Sequence, residues 1–266
     1  GERMLAQARE LGILSLNRSA LEYGPSLALG AGELSLLELT GAFRVFANGG
    51  LFTPPTGLLR VTDSLGRVVP SQLAPVQAVS PATAFQLTDI LSDNAARTPM
   101  FGANSLLRLP LPAAVKTGTT TDFRDNLTVG YTRHLVVGVW TGNSDGTPLR
   151  GSSGVSGAAP IWRTFLLAVL GDEAARQASG LPVAEEEWAF LPPPDVTLID
   201  ACPPNVTCRA GGEYFSAAWL ERVPPDNPLA DSIVSTPVVP VHPQLPGGPF
   251  CRPDDPTAGT TRTLVR

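Results

Sequence analysis

The strongest constraint on this chain is a spacing. Two apolar runs, residues 127–131 and 135–142, are separated only by Thr132-Arg133-His134. A gap that short joins strands as a hairpin, because parallel pairing needs a crossover of roughly a dozen residues or more. A third strand-like run, 113–118, precedes them and is bounded upstream by Pro110 and Pro112. Helical patterns flank this group. Residues 2–11 end at Gly12, and 34–47 stop at Asn48-Gly49-Gly50. Residues 80–96 open with Ser80 as a cap and Pro81 in the first turn, and 158–170 carry Pro160 in theirs. Three neighbouring strands with helices before and after predict an antiparallel sheet covered by helices, an α/β chain of the α+β type. The stretch HLVVGVWTGN (134–143) reads as a strand buried on both faces. Trp140 and Trp162 are expected in the core.

Proline divides the chain. Eleven prolines fall in residues 1–170 and sixteen in 171–266. We therefore expect a packed segment over 1–172, then a linker and an irregular Pro-rich extension over 173–266. Glu185-Glu186-Glu187-Trp188 reads as a solvated linker face. A hydrophobic content of 43% supports a substantial core over 266 residues. The net charge of −5 offers no basic stripe for nucleic acid. No run approaches 18 consecutive apolar residues. The first residue is Gly1 and no signal peptide is visible, as expected of a piece of a longer protein. Three cysteines, Cys202, Cys208 and Cys251, and two histidines do not compose a zinc site. A Cys202–Cys208 disulfide and free thiols in a loop-rich tail both remain open. No metal or cofactor is expected.

Lys116 is the only lysine, against 18 arginines. Arginine is a wide planar fork and lysine a compact point charge, so a chain this poor in lysine points to a site at Lys116-Thr117-Gly118-Thr119. Gly118 permits close approach of a ligand backbone. Thr117 and Thr119 share one face, because strand side chains alternate. Two hydroxyls beside an ammonium suit a carboxylate, and an exposed strand edge suits an extended peptide. Val115 excludes a phosphate-binding P-loop, and GSSGVSG (151–157) never satisfies the spacing of a nucleophile elbow.

Longer stretches carry a resemblance. VKTGTTTDFRDNLTVGYT, LVVGVWTGNSDGTP and GVSGAAPIW, with SLALGAGELSLLELTGAFRVFANGG upstream, resemble the transpeptidase domain of class A, bifunctional penicillin-binding proteins over roughly residues 1–170. ILSDNAARTPMFG is similar to the branch called penicillin-binding protein 1C. The resemblance implies part of a serine β-lactamase-like fold and cross-linking of peptidoglycan stem peptides through a serine acyl-enzyme, which also binds penicillin. It implies a bacterial, extracytoplasmic enzyme whose membrane anchor and glycosyltransferase lie upstream. The implied partners are D-Ala-D-Ala stem peptides and β-lactams. The implied catalytic residues are Lys116, Thr117, Gly118 and Thr119, with Thr117 and Thr119 binding the substrate carboxylate and the Thr119 N–H acting as an oxyanion donor.

One part is absent. The family's nucleophile lies in S-x-x-K, and with a single lysine that motif needs serine at 113, where this chain has Ala113. The fragment alone is therefore expected to be inactive. Two S-x-N matches, Ser15-Leu16-Asn17 and Ser92-Asp93-Asn94, read as decoys, the second inside the 80–96 helix. Asp125 and Asn126 are expected to structure a loop, and His134 to sit in a solvated turn. The 205–207 sequon carries no chemistry in a bacterial chain. A β-lactamase or D-Ala-D-Ala carboxypeptidase relative, and a non-enzymatic peptide-binding module, remain alternatives.

Overall fold

The computed structural model describes residues 1–58, 60–69, 74–199 and 212–224; the three cysteines and the 205–207 sequon lie outside them. A three-stranded antiparallel sheet is built from β1 (Ala114–Thr119), β2 (Asp125–Tyr131) and β3 (Val136–Gly142), in the order β1-β2-β3. The predicted hairpin and the preceding strand are present. β2 is central, and from Asn126 onward it is mostly buried, whereas β3 is an edge strand and half-buried.

Helices cover both faces. The longer helices are α1 (Glu2–Glu10), which packs on Leu16 and Leu27, α2 (Leu36–Ala47), α3 (Pro81–Ser92), α4 (Asn94–Phe101) and α5 (Ala159–Gly171). α2 and α3 lie against one face. Tyr131 of β2 meets Phe43 of α2 edge-on at 6.3 Å, and its hydroxyl shares a 2.8 Å hydrogen bond with Thr88 of α3. α5 lies on the other face, where the fully buried Trp162 packs over Gly130. A Cβ on Gly130 would stand 2.6 Å from the indole and 2.8 Å from the Ala114 carbonyl, so only glycine permits this contact. The residues 154–171 are long and apolar enough to cross a membrane by length and composition alone. Here Trp162, Leu166 and Leu170 close the core.

Caps set the helix starts. Ser35 and Glu38 form a reciprocal capping box at α2, and the Ser80 hydroxyl accepts the Thr83 N–H at α3. The expected single helix over 80–96 is two. Asp93 is extended, and its carboxylate accepts the N–H groups of Ala95 and Ala96, starting α4 afresh. The carboxylate cap offsets the cost of the break, because it satisfies two donors that a fresh helix start would otherwise leave orphaned. Ser92-Asp93-Asn94 therefore spans a helix junction, not a helix interior.

Trp140 departs from expectation. It lies on the edge strand, 42% exposed, and its indole N–H donates to the Asp125 carboxylate at 2.9 Å. The 134–143 run is apolar yet half-buried, because an edge strand has a neighbour on one side only. Trp188 departs the other way. Glu185–Trp188 forms a short 3₁₀ turn whose glutamates are exposed, while Trp188 is fully buried in the core that holds Trp162. His134 sits in the hairpin turn as expected, exposed, with its ring edge-on to Trp188 at 5.2 Å. Further on, β4 (Val196–Ile199) and β5 (Glu213–Ser216) form an antiparallel pair, and Val196 and Tyr214 pack on Phe85 of α3.

Candidate functional site

Lys116-Thr117-Gly118-Thr119 occupies β1, at the edge of the sheet among the described residues. Lys116 stands opposite Val129, Thr117 opposite Thr128, Gly118 opposite Leu127 and Thr119 opposite Asn126. Val115 packs in the cluster that holds Trp162, so by alternation Thr117 and Thr119 share the α5 face. The stem of Lys116 starts on the opposite face.

Peptide directions follow from the strand end. The Thr120 N–H donates inward, to the Asp125 carbonyl at 3.0 Å. Strand peptides alternate, so the N–H and C=O groups of Thr119 and Thr117 point to the outer edge. The Lys116 ammonium agrees with this assignment. It bends round the edge and donates to the Thr117 carbonyl at 2.6 Å. Lys116 is exposed and, among the described residues, joins no ion pair.

A depression of about 240 Å³ opens beside the strand, lined by Ile90, Asp93, Arg97, Lys116 and Thr117 among others. Arg97 is anchored through the carbonyls of Leu107 and Leu91 at 3.2 and 2.5 Å. Burial pushes its guanidinium below its ordinary pKa, partly offset by the Asp93 carboxylate. Asp93, from the second S-x-N match, thus borders the same depression as Lys116.

Ser15, Ser92 and Asn94 of the two S-x-N matches make structural contacts through their side chains. The Ser15 hydroxyl bonds the Glu38 carboxylate, which also accepts the Leu14 and Ser15 N–H groups at 3.0 and 3.1 Å. These bonds, the Ser15 hydroxyl first, hold Glu38 down to about 2. Ser92 donates to the Asp89 carbonyl at 3.1 Å, and Asn94 to the Ala103 carbonyl at 3.1 Å. Asp125 is the first residue of β2, a strand residue and not the loop residue expected, and its carboxylate accepts from the Thr120 hydroxyl and the Trp140 indole.

Residues 15–146 match the family described as the penicillin binding protein transpeptidase domain. This segment belongs to the penicillin-binding protein transpeptidase family. Penicillin-binding protein 2D of Bacillus subtilis (strain 168) is 32% identical over 201 residues, covering 70% of this chain and 27% of that protein. Penicillin-binding protein 1A of Neisseria meningitidis (serogroup A, serotype 4A, strain DSM 15465 / Z2491) is 30% identical over 242 residues, covering 84% and 29%. The chain thus spans between a quarter and a third of the length of these relatives. Two solved structures share the fold. Penicillin-binding protein 1A from Haemophilus influenzae aligns with a TM-score of 0.54 at 20% identity, over 79% of this chain and 35% of that one. The PonA1 protein from Mycobacterium tuberculosis in complex with penicillin V aligns with a TM-score of 0.51 at 24% identity, over 64% and 50%.

Three further residues meet the Lys-Thr-Gly-Thr strand from behind, Asn126 and Thr128 within the matched transpeptidase segment and Gly154 beyond its end. Asn126 and Thr128 are fully buried on β2. Asn126 is a strand residue, not the loop residue expected, and its amide donates to the Ser152 hydroxyl at 2.8 Å. Gly154 lies over the strand pair, where a Cβ would meet the Gly118 carbonyl oxygen at 2.6 Å. The available signal was Asn126 and Thr128, polar at period two and separated by apolar Leu127, a pattern that asks for buried hydrogen-bond partners.

Proposed function

We propose that this chain supplies the carboxylate-binding wall of a peptidoglycan D,D-transpeptidase. That enzyme takes the D-Ala-D-Ala ends of stem peptides and β-lactams. The reading rests on family membership and is carried by one observation: the Lys116 ammonium lies on the Thr117 carbonyl at the outer edge of β1. There it stands beside two outward-facing peptide groups and two same-face hydroxyls. Lys116 supplies positive potential. Thr117 and Thr119 hold the substrate's terminal carboxylate, and the edge favours an extended peptide laid alongside it. Gly118 keeps the approach open. The Thr119 N–H is one of two donors to the oxyanion of the tetrahedral intermediate, a role whose loss typically costs about 2.7–4 kcal/mol of transition-state stabilisation.

The nucleophilic serine and its base come from outside these residues, since Ala113 stands where S-x-x-K would need serine. The chain alone therefore binds without acylating. We assign residues 1–172 to the transpeptidase part and 173–266 to an extension whose first residues pack back through Trp188. We place the intact protein outside the cytoplasmic membrane of a bacterium, anchored upstream together with a glycosyltransferase domain.

The test is an ¹⁵N NMR titration with N-acetyl-D-Ala-D-Ala and with its C-terminal carboxamide. The carboxylate should shift the Thr119 and Lys116 amides, and the neutral carboxamide should bind about tenfold more weakly, the worth of one charge-assisted contact. Equal responses to both ligands would refute the assignment.

A further inference from the structure

Behind the edge strand, the Gly154 peptide is held at both ends by threonines of the sheet. Its N–H donates to the Thr119 hydroxyl at 3.0 Å, and its carbonyl accepts from the Thr128 hydroxyl at 3.0 Å. Thr128 is fully buried, while Thr119 is exposed. Two residues earlier, Ser152 accepts from the buried amide of Asn126 at 2.8 Å. Gly154 also lies too close for any side chain, since a Cβ would stand 2.6 Å from the Gly118 carbonyl oxygen and 2.7 Å from that of Leu127. The start of the 154–158 turn is thus stapled onto the Lys-Thr-Gly-Thr strand by Asn126 and Thr128 of the neighbouring strand.

A hydroxyl has one proton and two acceptor lone pairs. With one lone pair of Thr119 receiving the Gly154 N–H, its proton points away from the turn, and Thr119 is exposed. We infer that Thr128, Asn126 and Gly154 form a positioning clamp that orients the Thr119 hydroxyl as a donor toward a ligand carboxylate. The inference rests on the carboxylate-binding reading above and adds to it residues that never touch the ligand. An unclamped hydroxyl would spend its proton on solvent or the nearest carbonyl; a clamped one is organised before the ligand arrives.

The experiment uses the full chain and two readouts. The first is hydrogen exchange at the Gly154 amide. Thr119→Val, an exposed edge substitution, should speed that exchange about tenfold, and unchanged exchange overturns the clamp. The second is the affinity of Thr128→Val for N-acetyl-D-Ala-D-Ala and for its carboxamide. The carboxylate should bind about fivefold more weakly, the worth of one hydrogen bond, with the carboxamide unchanged and Thr128→Ser restoring the wild-type value. If wild type prefers the carboxylate and Thr128→Val keeps that preference in full, the clamp is wrong and the carboxylate site stands. If wild type itself shows no preference, both fall.

Discussion

The ammonium of Lys116 donates to the backbone carbonyl of the residue that follows it, Thr117, at 2.6 Å. A lysine that bends back to its neighbour at an exposed edge stabilises little, because water could satisfy the same carbonyl. What it gains is placement, a compact positive charge held beside outward-pointing peptides.

Lys116→Ala should therefore leave the unfolding free energy from urea curves within about 0.5 kcal/mol of wild type, as for surface substitutions generally. It should weaken binding of N-acetyl-D-Ala-D-Ala about tenfold. Lys116→Arg should recover only part of that loss, since a planar fork cannot reproduce a point charge at the same position. Affinities from the NMR titration, read beside urea curves, separate the two effects.

Tyr131 ties the central strand to α3 through Thr88, and burial pushes its phenol up to about 12. A raised acid favours the neutral form in the folded state. The stability it contributes is complete below pH 10, the ordinary phenol value, and is lost as pH rises toward about 12. Tyr131→Phe should cost about 1 kcal/mol at neutral pH and should flatten the alkaline limb of the stability curve. Denaturant midpoints between neutral and alkaline pH check both.

Glu38 behaves with the opposite sign. Its carboxylate, held down to about 2 chiefly by the Ser15 hydroxyl, favours the folded state above its ordinary value of 4.5. That contribution declines as pH falls from 4.5 toward about 2. Glu38→Gln should lower stability at neutral pH and shrink the loss seen on acidification across that window. Thermal unfolding at three or four acidic pH values measures it.

Trp188 is fully buried against the His134 ring and in the core cluster of Trp162. Trp188→Ala should destabilise by about 3–5 kcal/mol, the usual cost of emptying a buried aromatic site. Truncation after residue 172 should be comparably harmful, which urea unfolding of the shortened chain would show.

The hairpin and the helix caps were legible because their causes are local. A three-residue gap allows one connection, and Ser80-Pro81 states its own cap. The Lys-Thr-Gly-Thr edge was legible because a lone lysine stands out in an arginine-rich chain. The break at Asp93 was not, since a carboxylate that caps and one that decorates a helix look alike in one dimension. Trp140 and Trp188 exchanged their expected places for a tertiary reason: strand order decides which apolar strand lies at an edge, and nothing near Glu185-Glu186-Glu187 announces that the next residue finds a core. The link from Thr119 to Gly154 spans 35 residues, and only folding brings them together.

The most direct measurement is incubation of this chain with a fluorescent penicillin, followed in solution by polarisation and then on a denaturing gel. A binding wall without its nucleophile predicts a reversible rise in polarisation, reduced in Lys116→Ala and competed by N-acetyl-D-Ala-D-Ala, with no label surviving denaturation. A stoichiometric covalent band would place the attacking serine within these 266 residues, and no polarisation change at millimolar chain would remove the ligand site from this strand edge.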